Sequence, residues 1–278
     1  MKHPAIEWIK RRVTKLNKNC IIIINGATGS GKTYAGLSVA CILAKELGTH
    51  FTVKDNLDFN FKSFIEKTML PQNREKGTCF IFEEVGAVGG GASSREWQSK
   101  ANILFNSFLQ TTRHRNQVLI MTTPYFSFLD VASRKLVHIQ MDMQYINFQT
   151  KQAVVKPYFM QVNSRTGKIY FKLLRYKVDD KVKKLSGWVV PHPPNEVTEE
   201  YEKLKCKYTT ELAKMITEDK NVKVQRDMSI VDNDVIKALM NENKYTREEM
   251  ANKLKISLRT LQRHISDIKS KTFLKIEK

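Results

Sequence analysis

The chain has 278 residues, with 47 Lys+Arg against 28 Asp+Glu and a formal charge of +19 at pH 7. That length holds one sizeable α/β core plus a small appendage, and no apolar run nears the roughly 20 residues of a membrane span. Met1-Lys2-His3-Pro4 opens a basic, helix-like stretch rather than a signal peptide, and four scattered cysteines without a C-x-x-C pair read as reduced thiols; a cytoplasmic protein without zinc is expected.

Four consecutive isoleucines, Ile21 to Ile24, read as a strand buried on both faces. They run directly into Gly26-Ala27-Thr28-Gly29-Ser30-Gly31-Lys32-Thr33, a full G-x-x-x-x-G-K-[ST] match, followed by a helix-like segment from Tyr34 to Leu47. The glycines let the backbone curl so that its N–H groups point at a phosphate, and the helix N-terminus adds its dipole. Lys32 supplies a mobile positive charge for the β- and γ-phosphates, and Thr33 offers a hydroxyl to Mg²⁺. Nucleotide binding by residues 26–33, with Tyr34 beside them, is therefore expected, with ATP and Mg²⁺ as the ligands.

Phe51-Thr52-Val53 begins an extended segment through Leu57 and Phe59, and Phe61 to Met69 has apolar residues at helical spacing. Thr78 to Phe82 is a second buried strand, ending in Glu83-Glu84. An apolar strand closed by two carboxylates, about 50 residues after a Walker A loop, has the form of a Walker B motif. Glu83 would hold Mg²⁺, and Glu84 would orient and deprotonate the attacking water. The glycine-rich stretch Gly86 to Ser94 reads as a loop able to contact a substrate moving past it. Trp97 to Thr112 is a predicted helix leading into Arg113-His114-Arg115, and Val118 to Met121 is a third apolar strand ending in Thr122-Thr123-Pro124. The ends of three such strands converge on one edge of a parallel sheet, where ligands bind in α/β folds.

This order of motifs, with the segment RHRNQVLIMTTP and then LDVASRKLVHIQMD, resembles the FtsK/HerA-type DNA-pumping ATPases over about Cys20 to Met143. It is most similar to the short branch from archaeal plasmids and viruses and to the zonular-occludens-toxin-like ATPases of filamentous phages. The resemblance implies a RecA/ASCE-like P-loop fold, Mg²⁺-dependent ATP hydrolysis, DNA as partner, and a homo-oligomeric ring, a hexamer. It also implies a virus or plasmid setting, with a capsid or other mobile-element protein among the partners. In that family a polar residue at the end of the third strand, usually Gln, senses the γ-phosphate; the matching position here is Thr123. An arginine finger reaches the neighbouring subunit, and Arg113 and Arg115 match its region, with Arg134 a further candidate.

From Leu136 the pattern turns β-like, with Asn163 to Lys168 as the turn of a β-hairpin and Lys177 to Lys184 as a basic connection. Pro191, Pro193 and Pro194 mark the expected end of the ATPase domain, residues 1–190; residues 191–228 read as a helical linker, and 229–278 as an all-α helix-turn-helix domain with a possible degenerate wing strand at Phe273 to Ile276. In that last domain Thr246-Arg247-Glu248-Glu249 is a capping box, and Met250, Ala251, Leu254, Ile256, Leu261 and Ile265 form the expected core. Arg259, Thr260, Gln262 and Arg263 fall on the open side of the third helix and suit major-groove edges and phosphates.

Charge is uneven along the chain. Residues 1–195 carry 29 Lys+Arg against 13 Asp+Glu, whereas residues 196–278 carry 18 against 15. A basic nucleotide-binding domain points to a polyanion beyond its own nucleotide, most simply nucleic acid. Two functions fit: an ATP-hydrolysing DNA translocase or packaging motor, and an ATP-switched DNA-binding regulator in which nucleotide sets assembly.

Overall fold

The computed structural model of the chain describes residues 3–73, 75–85 and 100–218, together with 236, 240, 245–254, 258, 261–262 and 265–266. The glycine-rich stretch Gly86 to Ser94 and the residues Arg259, Thr260, Arg263 and Phe273 to Ile276 lie outside these.

The isoleucine run forms β1 (Cys20–Asn25) at the centre of a mixed sheet. On one side it pairs in parallel with β4 (Val118–Thr123), which pairs with β3 (Cys79–Phe82) and then β2 (Leu57–Asp58). On the other side β5 (Ile139–Asn147) is parallel to it. The parallel order β5-β1-β4-β3-β2 separates the strand before the P-loop from the strand that ends in Glu83. That order inserts β4 between the P-loop strand and the acid-bearing strand. The third strand inserted between them brings its own C-terminal end into the crevice.

Both faces of β1 are covered, which is why its side chains from Cys20 to Ile24 are all apolar. Ile22 and Ile24 join a core with Ile6 and Ile9 of α1 (Pro4–Lys10) and Leu37, Ala40 and Leu43 of α2 (Lys32–Leu47). Ile21 and Ile23 face the opposite layer, where α4 (Phe61–Met69) and α5 (Lys100–Thr111) contribute Phe61, Phe64, Phe105 and Phe108. Asn60 starts α4 by accepting from Lys62 N at 2.9 Å and Ser63 N at 3.3 Å, a cap worth about 1 kcal/mol. The segment read as extended from Phe51 is interrupted by α3 (Val53–Asn56), because Thr52 caps it through Asp55 N. Asp130 likewise caps α6 (Val131–Leu136), so the β pattern begins after Leu136.

β5 and β6 (Gln152–Val162) run antiparallel and project beyond the parallel strands. β6 also pairs with β7 (Ile169–Lys172) and β10 (Trp188–Val190). The hairpin turn at Asn163 to Lys168 is present, its Gly167 in the left-handed region at φ +66°. The basic connection is itself a hairpin of β8 (Arg175–Val178) and β9 (Lys181–Lys184).

One compact unit extends to Thr210 and a second comprises Glu211–Lys278. Residues 191–210, expected as the start of a linker, belong to the first. The prolines are followed by α7 (Asn195–Glu218), whose Tyr201 is buried in the main core. In the second unit Ile236, Met250, Ala251, Leu261 and Ile265 are buried together. Its α8 (Arg247–Lys253) opens on the expected capping box between Thr246 and Glu249, and Gln262 is exposed. Among the described residues no helix is long and apolar enough to cross a membrane.

Candidate functional site

The P-loop is shaped by two positions that exclude a side chain. Gly31 sits at φ +83°, and a Cβ there would stand 2.9 Å from Ile146 Cδ1. A Cβ on Gly26 would come within 2.7 Å of both Met143 Cβ and Ser30 Oγ. Thus β5, through Met143 and Ile146, packs directly on the loop, a contact that spacing along the chain does not reveal. Lys32 folds back onto the loop, its Nζ donating to the carbonyls of Gly26 and Ala27, both at 2.8 Å. Burial lowers its pKa, partly offset by Glu84 and Glu83.

The second carboxylate strand meets this loop. Thr33 Oγ1 donates to Glu83 Oε1 across fifty residues of sequence. Tyr201 Oη of α7 donates to the same oxygen at 2.9 Å. The other oxygen, Oε2, is buried with no hydrogen-bond partner. A buried, orphaned carboxylate oxygen beside a threonine hydroxyl is a hard-oxygen donor set suited to Mg²⁺. Burial pushes the Glu83 pKa up, against the opposing influence of Lys205 and the bonds from Thr33 and Tyr201.

Glu84 takes a different course. Its backbone is in the left-handed region at φ +53°, and its N–H donates to Thr122 Oγ1 at 2.9 Å. The turn carries its carboxylate away from the interior, and the residue is exposed. Lys205 of α7 lies over both acids, 2.9 Å from Glu84 Oε1 and 3.6 Å from Glu83 Oε1. Burial opposes its charge, but the two carboxylates outweigh burial and raise its pKa. Lys205 also sits over the Phe59 ring at 5.0 Å, and Phe59 stacks on Tyr208. Tyr201, Lys205 and Tyr208 recur at i, i+4 and i+7, so an aromatic–lysine–aromatic stripe on a charged helix was the available signal for these contacts.

Thr123, the expected sensor, is buried, and its hydroxyl donates to Tyr125 O at 3.1 Å. Its neighbour Thr122, pointing the other way along the strand, is the threonine that meets Glu84. Asn25, paired with Thr123 in register, keeps a buried Oδ1 without a partner. Arg113 and Arg115 follow α5 and precede β4, at the edge of the sheet opposite the P-loop. Arg115 Nη1 donates to Thr68 O at 3.0 Å. Within one chain neither arginine joins the Lys32–Glu83–Glu84 group.

Beside Gly31 a cavity of about 310 Å³ is lined by Tyr34, Ile146, Phe148, Pro191 and His192. Tyr34 meets His192 edge-on, with centroids 5.3 Å apart, and its hydroxyl donates to Glu202 at 2.8 Å. The walls are mainly apolar and aromatic, with Lys151 also on the lining, and suit a flat ring.

The described part of the chain is similar to several solved structures. The N-terminal domain of zonular occludens toxin from Neisseria meningitidis matches at 19% identity over 60% of this chain and 100% of that one, with a TM-score of 0.35. The genome packaging NTPase B204 from Sulfolobus turreted icosahedral virus 2 matches in its complex with sulfate at 11% identity, over 56% of this chain and 96% of that one, TM-score 0.37. Its complex with ATP-gammaS matches at 11% identity over 55% and 96%, TM-score 0.38. No protein-family model and no curated protein sequence matches the chain.

Proposed function

We propose that the chain is an ATP-hydrolysing motor that moves DNA, of the packaging type and working as a homo-oligomeric ring. The observation that carries the hydrolase reading is the convergence of Lys32, Thr33, Glu83 and Glu84 at one edge of the sheet, with Thr33 already bonded to Glu83. The P-loop amides and Lys32 would bind the β- and γ-phosphates, and the base would enter the slot beside Tyr34. Thr33 and Glu83 would hold Mg²⁺, which neutralises charge on the phosphates when bound. Glu84 orients a water toward the γ-phosphorus and takes its proton as the new P–O bond forms; the bond to the β,γ-bridging oxygen breaks, leaving ADP and phosphate. In the present arrangement Glu84 Oε1 is paired with Lys205, so movement of Lys205 off the acids would free that oxygen for the water.

DNA as the load is supported by the excess of 29 Lys+Arg over 13 Asp+Glu in residues 1–195 and by the sequence of the C-terminal unit. That unit, read as a helix-turn-helix with Gln262 on its outer face, would supply site recognition. The ring, and an arginine finger from Arg113, Arg115 or Arg134 of a neighbouring copy, follow from the family resemblance. The deciding experiment is the ATPase rate with and without long non-specific DNA, alongside a mass measurement of the assembly. A stimulated rate in an oligomer supports the motor.

The Lys205–Glu84 ion pair favours a second reading, in which hydrolysis is slow and nucleotide state sets assembly on DNA. A DNA-insensitive rate with tight binding to one short duplex would select that regulator.

A further inference from the structure

The sheet has a second charged edge. Near the amino-terminal ends of β1 and β5, a cavity of about 290 Å³ is lined by Arg12, Lys18, Arg113, Lys135 and His138. No carboxylate lines it. Among the described residues none of its four lysines and arginines has an ion-pair partner.

These groups converge from distant parts of the chain: the end of the first helical segment, the turn after α5, and the junction of α6 with β5. Arg12 is held in place, its Nε donating to Asn19 O at 2.6 Å and its guanidinium lying 5.5 Å over the Trp8 ring. His138 Nδ1 accepts from Ile21 N at 2.9 Å, so its ring proton is on Nε2 as a free donor. Burial first, then Arg12 and Lys18, hold this imidazole neutral. Arg12 in turn is acted on by Arg113. Uncompensated like charges at one place disfavour the free fold and favour an anion.

We propose that this cavity seats a backbone phosphate of bound nucleic acid, on the edge of the sheet opposite the nucleotide. A phosphodiester matches the planar donor fork of an arginine and the point charges of the lysines, and the cavity takes one such group rather than a protein segment. The six residues of β1 place the two edges roughly 20 Å apart, so load and fuel would occupy opposite ends of the same strands. The inference rests on DNA being the load and adds where its backbone runs.

The test uses the full chain, a fluorescently labelled 30-base-pair duplex, and anisotropy titrations over a range of salt. Lys18→Ala and Lys135→Ala should each weaken DNA binding several-fold irrespective of sequence. Each should also reduce the slope of log affinity against log salt by about 0.9, while binding of a fluorescent ATP analogue stays unchanged. Lys135 is exposed, so its variant should keep the wild-type melting temperature. If the wild-type chain binds no DNA, the DNA reading of the whole protein fails with this one. If it binds DNA and both variants match it in affinity and slope, only the phosphate seat is overturned. Inorganic triphosphate at constant ionic strength distinguishes the source: binding of triphosphate that these variants lose, with DNA binding intact, overturns the backbone assignment. Arg113→Ala with normal DNA binding but lost hydrolysis also overturns it, and returns Arg113 to a finger role.

Discussion

Lys205→Ala is the most informative change to the candidate site. The Lys205 side chain is 25% exposed, its Glu84 partner 51% and Glu83 2%. The 2.9 Å arm to Glu84 is a solvent-facing pair, worth about 0.2–1 kcal/mol. The 3.6 Å arm reaches the buried Glu83; losing one partner of a fully buried pair costs about 3–5 kcal/mol. Here the longer gap, the partial exposure of Lys205 and the bonds Glu83 keeps from Thr33 and Tyr201 reduce that to about 1 kcal/mol. Together the arms hold Lys205 on the acids by about 1–2 kcal/mol. A divalent cation held with nucleotide by Thr33 and Glu83 would bring like charge beside Lys205 and displace it from these arms, so this amount would oppose its binding. At about 1.4 kcal/mol per decade, removal should tighten Mg²⁺-ATP binding about 5- to 30-fold. Titration with a fluorescent ATP analogue, with and without Mg²⁺, measures it. The gain should appear only with Mg²⁺ present. A folded Lys205→Ala protein with unchanged Mg²⁺-ATP affinity would refute the competition. Loss of hydrolysis that Lys205→Arg restores would instead make Lys205 a group that touches the phosphates.

Other outcomes follow from the same geometry. Glu84→Gln should bind ATP normally and hydrolyse it about 10²- to 10⁴-fold more slowly, read by single-turnover assay; near-normal turnover would exclude Glu84 as the base. Gly31→Ala combines a positive φ with a 2.9 Å approach to Ile146 and should cost about 1–3 kcal/mol in a melt and weaken nucleotide binding at least tenfold. His138, with its pKa lowered to about 3, is neutral in the fold and protonates near pH 6.5 when unfolded. Stability is therefore whole above pH 6.5 and falls as the pH drops toward 3, by roughly 1 kcal/mol at pH 5.5. Denaturant titrations of wild type and His138→Gln at pH 7.5 and 5.5 should show the wild type losing more; equal losses would mean His138 is not the responsible group.

Much of the site was readable along the chain because its parts are local. A P-loop is eight consecutive residues whose backbone makes the phosphate cradle, and a strand buried on both faces announces itself as Ile21 to Ile24. Glu83 and Glu84 were legible from their place at the end of such a strand. The hairpin turn at Asn163 to Lys168 was legible from its turn residues. The short helix at Val53–Asn56 was not, because one threonine cap outweighed a weak extended pattern.

What tertiary structure alone decided is which distant groups meet. Sequence determined the P-loop, the acid pair and the three converging strands. It could not separate Thr122 from Thr123, since strand alternation sends adjacent side chains to opposite faces and only the register shows which faces Glu84. Nor could it place Arg113 beside Arg12 and His138, far from the P-loop, or bring Tyr201 and Lys205 onto the acids. Those contacts join residues up to 122 positions apart, as in Lys205 and Glu83. They arise because packing of α7 and closure of the sheet, not periodicity within any one segment, set which charges share a cavity.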